Sequence, residues 1–288
     1  MRERTSYPAG VPCWIDTMQP DAAAAVAFYG GLFSWEFEDV MPAEAPGRYF
    51  IGRLQGKDVA AIGDASDPTS TPVWTTYVAV DSADDAVARV GKAGGQVVME
   101  PTDAMDAGRM AVCSDTAGAT FAVWEARRTI GAQLVNEPGT WNFSDLNTRD
   151  VDGAIRFYRD VFDWEVETFE MGGSDFSFFK LAGYGDFLAK DNPELRESLD
   201  ADGAPGGFAD AVATMVPMAS DQSPDDVPPH WSITFAVDDA DAVASRAEQL
   251  GGTVLTPPFD IEPVRMTILA DPQGTVFTAS KYQPDANA

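Results

Sequence analysis

The chain has 288 residues, of which 45% are hydrophobic and 23% are charged, so it is long enough for about two domains and too evenly mixed for a disordered protein. The 19 Lys and Arg residues stand against 46 Asp and Glu, and the resulting net charge of −27, spread along the whole chain, disfavours binding to nucleic acid or to an anionic membrane surface. Neither a long apolar run nor a secretory leader is apparent, which predicts a cytoplasmic protein.

The chain repeats itself. The segment CWIDTMQPDAAAAVAFYGGLFSWEFE, which begins at Cys13, aligns without gaps with NFSDLNTRDVDGAIRFYRDVFDWEVE, which begins at Asn142. The segment YVAVDSADDAVARVGKAGGQVV, from Tyr77, aligns in the same way with TFAVDDADAVASRAEQLGGTVL, from Thr234. The sequence is therefore a tandem duplication of a unit that itself contains two modules.

Each module shows the same order of elements. A short strand ends at an Asp or Ser cap and is followed by a helix, such as the one predicted from Val151 to Phe162. Glycine pairs are predicted to stop or follow three of the four helices, at Gly30-Gly31, Gly94-Gly95 and Gly251-Gly252. Three strands come next, as in Gln96 to Met99, Met110 to Ser114 and Thr120 to Glu125. The predicted module is βαβββ.

The repeat places the boundaries of two predicted domains, at residues 8–128 and 138–283, with a linker between Arg127 and Thr140. Residues 182–208 have no counterpart in the first module. We call them the insertion. They are compatible with a lid over a binding site, with a surface hairpin or with a contact in a homodimer, and the sequence leaves the three interpretations open.

Four such modules, with an AFY-x₂-LF-x-W-E-like helix end and a D-x₂-G-x₃ final hairpin, resemble the vicinal oxygen chelate superfamily, which groups glyoxalases, bleomycin resistance proteins and extradiol dioxygenases. The tandem arrangement resembles the actinobacterial two-domain members that are labelled glyoxalase-like or hydroxylase. The resemblance implies an α+β fold in which four βαβββ modules form two glyoxalase-like domains, each with a curved mixed sheet that encloses a cup. Several activities share this fold, so it does not decide the function.

The resemblance also implies where a metal would be bound. Metal-using members carry His, Glu or Gln on the first strand of a module and Glu or His on the last. The matching positions here are Trp14, Thr75, Ala122, Phe143, Ser232 and Thr278. Divalent metals need imidazole, thiolate or carboxylate donors, so we expect no metal and no cofactor. The single histidine, His230, excludes sites with several imidazole ligands, and Cys13 and Cys113 have no metal-binding spacing.

Strand alternation assigns side chains to the two cups. Cup 1, in the first domain, is predicted to contain Trp14, Asp16, Met18, Thr75, Tyr77, Ala122 and Trp124. Cup 2, in the second domain, is predicted to contain Phe143, Asp145, Asn147, His230, Ser232, Thr234, Ala236 and Thr278. Aromatic walls with a few polar groups suit an apolar or aromatic small molecule as the binding partner. The alternative is that Trp14 and Trp124 fill their cup as core residues.

Two carboxylates that are predicted to point into the cups are the strongest candidates for catalytic residues. Asp16 and Asp145 occupy the same place in the two repeats, and burial beside aromatic rings would raise their pKa values enough for general acid or base work. The alternative is that each accepts hydrogen bonds and holds its sheet together. His230 could form a proton-transfer dyad with Asp145, or it could be an exposed residue at the start of its strand.

Two classes of function therefore remain. The first is a metal-independent protein that binds an aromatic or apolar molecule, either to sequester it or to tailor a secondary metabolite. The second is a metal-free acid/base enzyme that uses Asp16, Asp145 or His230. A metal-dependent glyoxalase, lyase or dioxygenase ranks third, because the ligand positions lack donors.

Overall fold

The computed structural model describes residues 3–171, 174–201, 203–218, 227–261 and 263–283. The first half of the chain folds into two βαβββ modules. Their elements are β1 (Pro12–Gln19), α1 (Ala22–Phe33), β2 (Glu36–Asp39), β3 (Tyr49–Leu54), β4 (Lys57–Asp64), β5 (Trp74–Ala79), α2 (Ala83–Lys92), β6 (Gln96–Ala104), β7 (Gly108–Ser114) and β8 (Thr120–Ala126).

The second half repeats this order and adds helical elements between the third and fourth strands of its first module. Its elements are β9 (Thr140–Thr148), α3 (Val151–Phe162), β10 (Glu165–Met171), β11 (Ser174–Lys180), α4 (Tyr184–Ala189), α5 (Leu195–Ala201), a 3₁₀ turn (Phe208–Asp210), β12 (Ala211–Pro217), β13 (His230–Ala236), α6 (Ala240–Gln249), β14 (Thr253–Ile261), β15 (Val264–Ala270) and β16 (Val276–Tyr282). The four predicted βαβββ modules are confirmed.

Each half forms one eight-stranded mixed sheet. The strand order is β2-β3-β4-β1-β5-β8-β7-β6 in the first sheet and β10-β11-β12-β9-β13-β16-β15-β14 in the second. Within a module the first and last strands are parallel, whereas the first strands of the two modules are antiparallel, so that Asp16 lies opposite Thr75 and Asp145 opposite Ser232. The α+β class and the mixed sheets agree with the prediction.

The helices begin where the sequence predicts. Asp21, Ser82, Asp150 and Asp239 each accept a hydrogen bond from a backbone amide in the first turn. One predicted helix end is wrong, because α1 continues through Gly30-Gly31 to Phe33 and ends at Ser34. A Cβ on Gly31 would lie 2.9 Å from the side chain of Leu250, so this glycine permits close packing of the two domains instead of stopping the helix.

The two sheets enclose the four module helices between them. Helix α2 packs against α3, and α1 packs against α6, so each helix of one domain meets a helix of the other. Two apolar cores result, and both contain buried residues from both halves of the chain. The face of each sheet that is turned away from these helices is the open face, and it corresponds to the predicted cup.

The linker and the residues that precede β1 also pack onto the first domain. The backbone amide of Ala132 donates to the carbonyl oxygen of Cys13 at 2.8 Å, and the hydroxyl of Tyr7 donates to the carbonyl of Ala132 at 2.7 Å. In the ranges given above, no helix is both long and apolar enough to cross a membrane.

Candidate functional site

All the predicted site residues lie on strands whose alternate residues point into the cores. Ile15 and Val78 belong to those cores in the first domain, as do Ile233, Phe235 and Phe277 in the second. Because side chains alternate along a strand, their neighbours in sequence project to the open faces. The predicted residues of each sheet therefore lie on the same face of that sheet.

Cup 1 is filled by its own side chains. Trp14, Tyr77 and Trp124 are only 7%, 4% and 8% exposed, and they form a separate apolar cluster with several alanines. The indole Nε1 of Trp124 donates to the carbonyl oxygen of Thr129 in the linker at 2.9 Å. This burial supports the interpretation of Trp14 and Trp124 as core residues.

The carboxylate of Asp16 lies inside this cluster. It is 1% exposed and accepts hydrogen bonds from the hydroxyls of Tyr77 at 2.7 Å and Tyr49 at 2.9 Å. The Tyr49 hydroxyl in turn accepts from the indole Nε1 of Trp14 at 3.2 Å. Burial raises the pKa of Asp16 to about 6, although the two tyrosine hydrogen bonds oppose the shift. The group can titrate near neutral pH, but its hydrogen bonds tie together β1, β3 and β5.

Cup 2 has a different character around its carboxylate. Asp145 is half-buried, and its two carboxylate oxygens accept from the hydroxyls of Thr214 and of Thr234, the latter at 2.9 Å. Burial raises the pKa of Asp145, and the two threonine hydrogen bonds lower it. A half-buried carboxyl group on an open face can hold or release a proton in contact with a bound molecule.

The structure does not join His230 to this carboxylate by a hydrogen bond. His230 lies opposite Asn147 in the sheet, and its Nδ1 lies 2.9 Å from the carbonyl oxygen of Pro228. The side-chain amide of Asn147 donates to the hydroxyl of Ser232 at 2.9 Å. The dyad between His230 and Asp145 therefore stays a prediction.

The positions at which the superfamily binds a metal do not fit one here. They carry two aromatic rings, three hydroxyl groups and one methyl group, on Trp14, Phe143, Thr75, Ser232, Thr278 and Ala122. In the part of the chain that the structure describes, no group of three or more His, Cys, Asp or Glu side chains could hold an ion. The donor chemistry of both cups is therefore unsuited to a divalent cation.

An apolar cavity of about 160 Å³ lies where the two domains and the insertion meet. The residues that precede β1, the linker, the start of β9 and the helices of the insertion all contribute to its wall. Its lining consists of Arg4, Tyr7, Val11, Pro12, Val135, Asn136, Trp141, Asn142, Phe143, Tyr184, Leu188, Leu195, Leu199, Phe208, Ala209, Ala211 and Val212. Only Phe143 of this set is among the predicted site residues.

The insertion connects this cavity to cup 2. The ring of Phe208 lies 6.0 Å from that of Phe143 and 5.5 Å from that of Phe178, measured between ring centroids. Phe208, the last residue of the insertion, thus packs against Phe143, which is predicted to lie in cup 2. The sequence contains one signal for a cavity wall in the insertion. Leu195 and Leu199 form an apolar pair on one face of a helix, and both line the cavity.

Two domains, each built from paired βαβββ modules, define the class of glyoxalase-like proteins. Comparison with known proteins gives the same class. Residues 14–123 match the Glyoxalase/Bleomycin resistance protein/Dioxygenase superfamily, and residues 143–280 match a glyoxalase-like domain. The chain is 38% identical to "Putative glyoxylase CFP32" of Mycobacterium tuberculosis, over 99% of both proteins. It is 33% identical to the anthracycline biosynthesis protein DnrV of Streptomyces peucetius, over 95% of this chain and 94% of DnrV.

Solved structures show the same fold at low identity. The Mn(II)-bound glyoxalase of Novosphingobium aromaticivorans matches with a TM-score of 0.58 and 16% identity, over 97% of this chain and 86% of that protein. The 2,2',3-trihydroxybiphenyl 1,2-dioxygenase of Sphingomonas wittichii matches with a TM-score of 0.58 and 13% identity, over 98% and 94%. The chain belongs to the glyoxalase/bleomycin resistance protein/dioxygenase superfamily.

Proposed function

We propose that this protein binds an apolar or aromatic small molecule without a resident metal ion, in the cavity beneath the insertion. The single observation that carries this proposal is the cavity itself, which is preformed and walled mainly by aliphatic and aromatic side chains. Cup 1 offers no comparable space, because Trp14, Tyr77 and Trp124 fill it. Binding at this site would serve either sequestration or tailoring of the molecule.

The size and lining of the cavity indicate the part of a ligand that it can hold. Cavities near 150 Å³ with apolar walls accept a benzene-sized ring. Phe143 and Phe208 supply aromatic faces at the end nearest cup 2, where a planar ring gains favourable offset or edge contacts. A larger ring system would extend from the cavity along the open face that carries Asp145.

The relatives support this class of ligand. DnrV of Streptomyces peucetius and DauV of Streptomyces sp. (strain C5), each 33% identical to this chain, are named as anthracycline biosynthesis proteins. Anthracyclines contain a fused, largely planar ring system. The cavity in the present protein would suit one ring of such a molecule.

Calorimetric titration with indole, a neutral aromatic probe, tests the proposal. We expect saturable binding that persists after dialysis against EDTA, because no metal donor takes part. Leu199→Trp should abolish binding, since the larger side chain fills the cavity. Ser198→Trp is the matched control, because Ser198 is exposed on the same helix and does not border the cavity.

The outcomes separate clearly. No binding of indole, or equal loss in both tryptophan variants, would contradict a site in this cavity. Loss of binding on EDTA treatment that added Zn²⁺ or Mn²⁺ restores would contradict metal independence.

A further inference from the structure

Trp141 lines the cavity and carries a buried hydrogen-bond donor that lacks an acceptor in the part of the protein that the structure describes. The indole Nε1 of Trp141 has no hydrogen-bond partner among the described residues, and the side chain is 5% exposed. Nearly all buried polar groups in folded proteins are hydrogen-bonded. The indole N–H of Trp141 is therefore left to pair with an acceptor that does not belong to the protein.

The other tryptophans show how unusual this is. The remaining six of the seven each donate from Nε1 to a carbonyl or hydroxyl oxygen of the protein, at distances of 2.7–3.2 Å for Trp14, Trp35, Trp74, Trp124, Trp164 and Trp231. Trp35 and Trp164, for example, donate to the carbonyl oxygens of Gly139 and Gly10 at 2.7 Å. Trp141 is the exception, and it is the one tryptophan that borders the cavity.

The cavity also has a positive charge at its wall. Arg4 is half-buried, and its guanidinium forms no ion pair within the ranges that the structure describes, although the chain carries 46 acidic residues. Burial raises the pKa values of Tyr7 and Tyr184, and the charge of Arg4 opposes the shift for both, which places the guanidinium near these two cavity-lining phenols. No carboxylate is among the lining residues.

We propose that the molecule held in this cavity is a monocarboxylate with an apolar, ring-sized body, whose carboxylate accepts a hydrogen bond from Trp141 and faces Arg4. This inference rests on the proposed function and specifies its ligand. The guanidinium of Arg4 supplies the one positive charge among the described residues of the wall, which matches a singly charged acceptor group such as a carboxylate. The rest of the wall is mainly apolar and matches the body of the ligand.

The test compares phenylacetate with phenylacetamide, which has nearly the same shape and no charge. Calorimetry on the wild-type chain should show phenylacetate binding about tenfold more tightly. Arg4→Gln should remove this preference, because it should weaken the binding of phenylacetate about tenfold more than the binding of phenylacetamide. Trp141→Phe should weaken both probes, because both carry a carbonyl acceptor.

Arg89→Gln is the matched control. It changes the net charge by the same amount, but Arg89 is exposed at the end of α2 and does not border the cavity. The preference for the carboxylate should persist in this variant. Arg4→Gln lies in the segment before β1 and tests the proposal even if Trp141→Phe does not fold.

Two failures are distinguishable. Equal binding of the two probes by the wild type, or a preference that survives in Arg4→Gln, overturns the carboxylate assignment while binding of phenylacetamide still supports the aromatic site. Absence of binding for both probes and for indole overturns the proposed function and the carboxylate assignment together.

Discussion

At the scale of single residues, the two repeats place the same amino acid in different surroundings. Asp16 and Asp145 occupy equivalent positions, but Asp16 is 1% exposed between two tyrosine hydroxyls, whereas Asp145 is half-buried between two threonine hydroxyls. The larger tyrosines close cup 1 over the carboxylate, and the smaller threonines leave cup 2 open. Each carboxylate therefore joins its strand to two other strands, but only that of Asp145 belongs to a half-buried residue.

The raised pKa of Asp16 makes stability depend on pH. Its pKa is about 6 in the folded protein against 3.8 for a free side chain, so the unfolded chain binds fewer protons than the folded chain between these values. The contribution of Asp16 to stability is then present at low pH and falls by about 2 to 3 kcal/mol as the pH rises from about 4 to about 7.

Urea denaturation of the wild type and of Asp16→Asn at pH 4 and pH 7 checks this. The asparagine side chain does not titrate, so the wild type should lose about 2 to 3 kcal/mol relative to the variant across this range. Asp85→Asn, at an exposed position on α2, should follow the wild type. Parallel profiles for the wild type and Asp16→Asn would show that Asp16 does not control the pH dependence.

At the scale of elements, two matching clusters join the domains. The hydroxyl of Tyr158 on α3 donates to Asp115 of the first domain at 3.1 Å and accepts from the indole Nε1 of Trp231 at 2.9 Å. On the other side, the hydroxyl of Tyr29 on α1 donates to Asp271 of the second domain at 3.2 Å and accepts from Trp74 at 3.1 Å. The helix tyrosine and the hairpin aspartate of the repeated sequence motifs thus meet across the domain boundary.

Removing one of these hydroxyls should destabilise the whole chain. Tyr158→Phe leaves the carboxylate of Asp115 and the indole of Trp231 each short of a partner in a buried site, which costs about 1 to 3 kcal/mol. Tyr29→Phe should cost a similar amount, and the double variant should lose the sum, because the two tyrosines belong to separate cores. Urea unfolding measures all three; losses below about 0.5 kcal/mol would mean that the clusters do not stabilise the domain contact.

At the scale of the whole molecule, the two domains share their interior. Each of the two cores contains buried side chains from both halves of the chain, and the four module helices lie between the sheets. Separating the domains would expose both cores at once. The cavity beneath the insertion has the same origin, since it is bounded by the residues before β1, by the linker and by the second domain.

A shared interior predicts one cooperative unfolding event. Differential scanning calorimetry of the full chain should give a single transition whose calorimetric and van't Hoff enthalpies agree, despite the two sheets. Tyr158→Phe should move this transition to lower temperature without splitting it. Two resolved transitions would show that the domains unfold independently.

The sequence by itself determined the repeat, the four modules and the lack of metal donors at the expected positions, and it predicted the face on which the cup residues lie. These properties are local, because alternation along a strand and helical spacing depend on residues close together in the chain. The glycine pair in α1 is an exception. It was predicted to end the helix, but Gly31 instead permits close contact with Leu250 of the other domain.

Only the tertiary structure decided which cup is filled and where a cavity remains. The filling of cup 1 depends on Tyr49 reaching Asp16 from another strand, and the cavity depends on Arg4, Trp141 and the insertion coming together. Residues so far apart in the chain leave no shared periodicity in the sequence. Their contacts follow from how the two sheets and the helices between them pack, and the unpartnered indole of Trp141 becomes visible only once that packing is known.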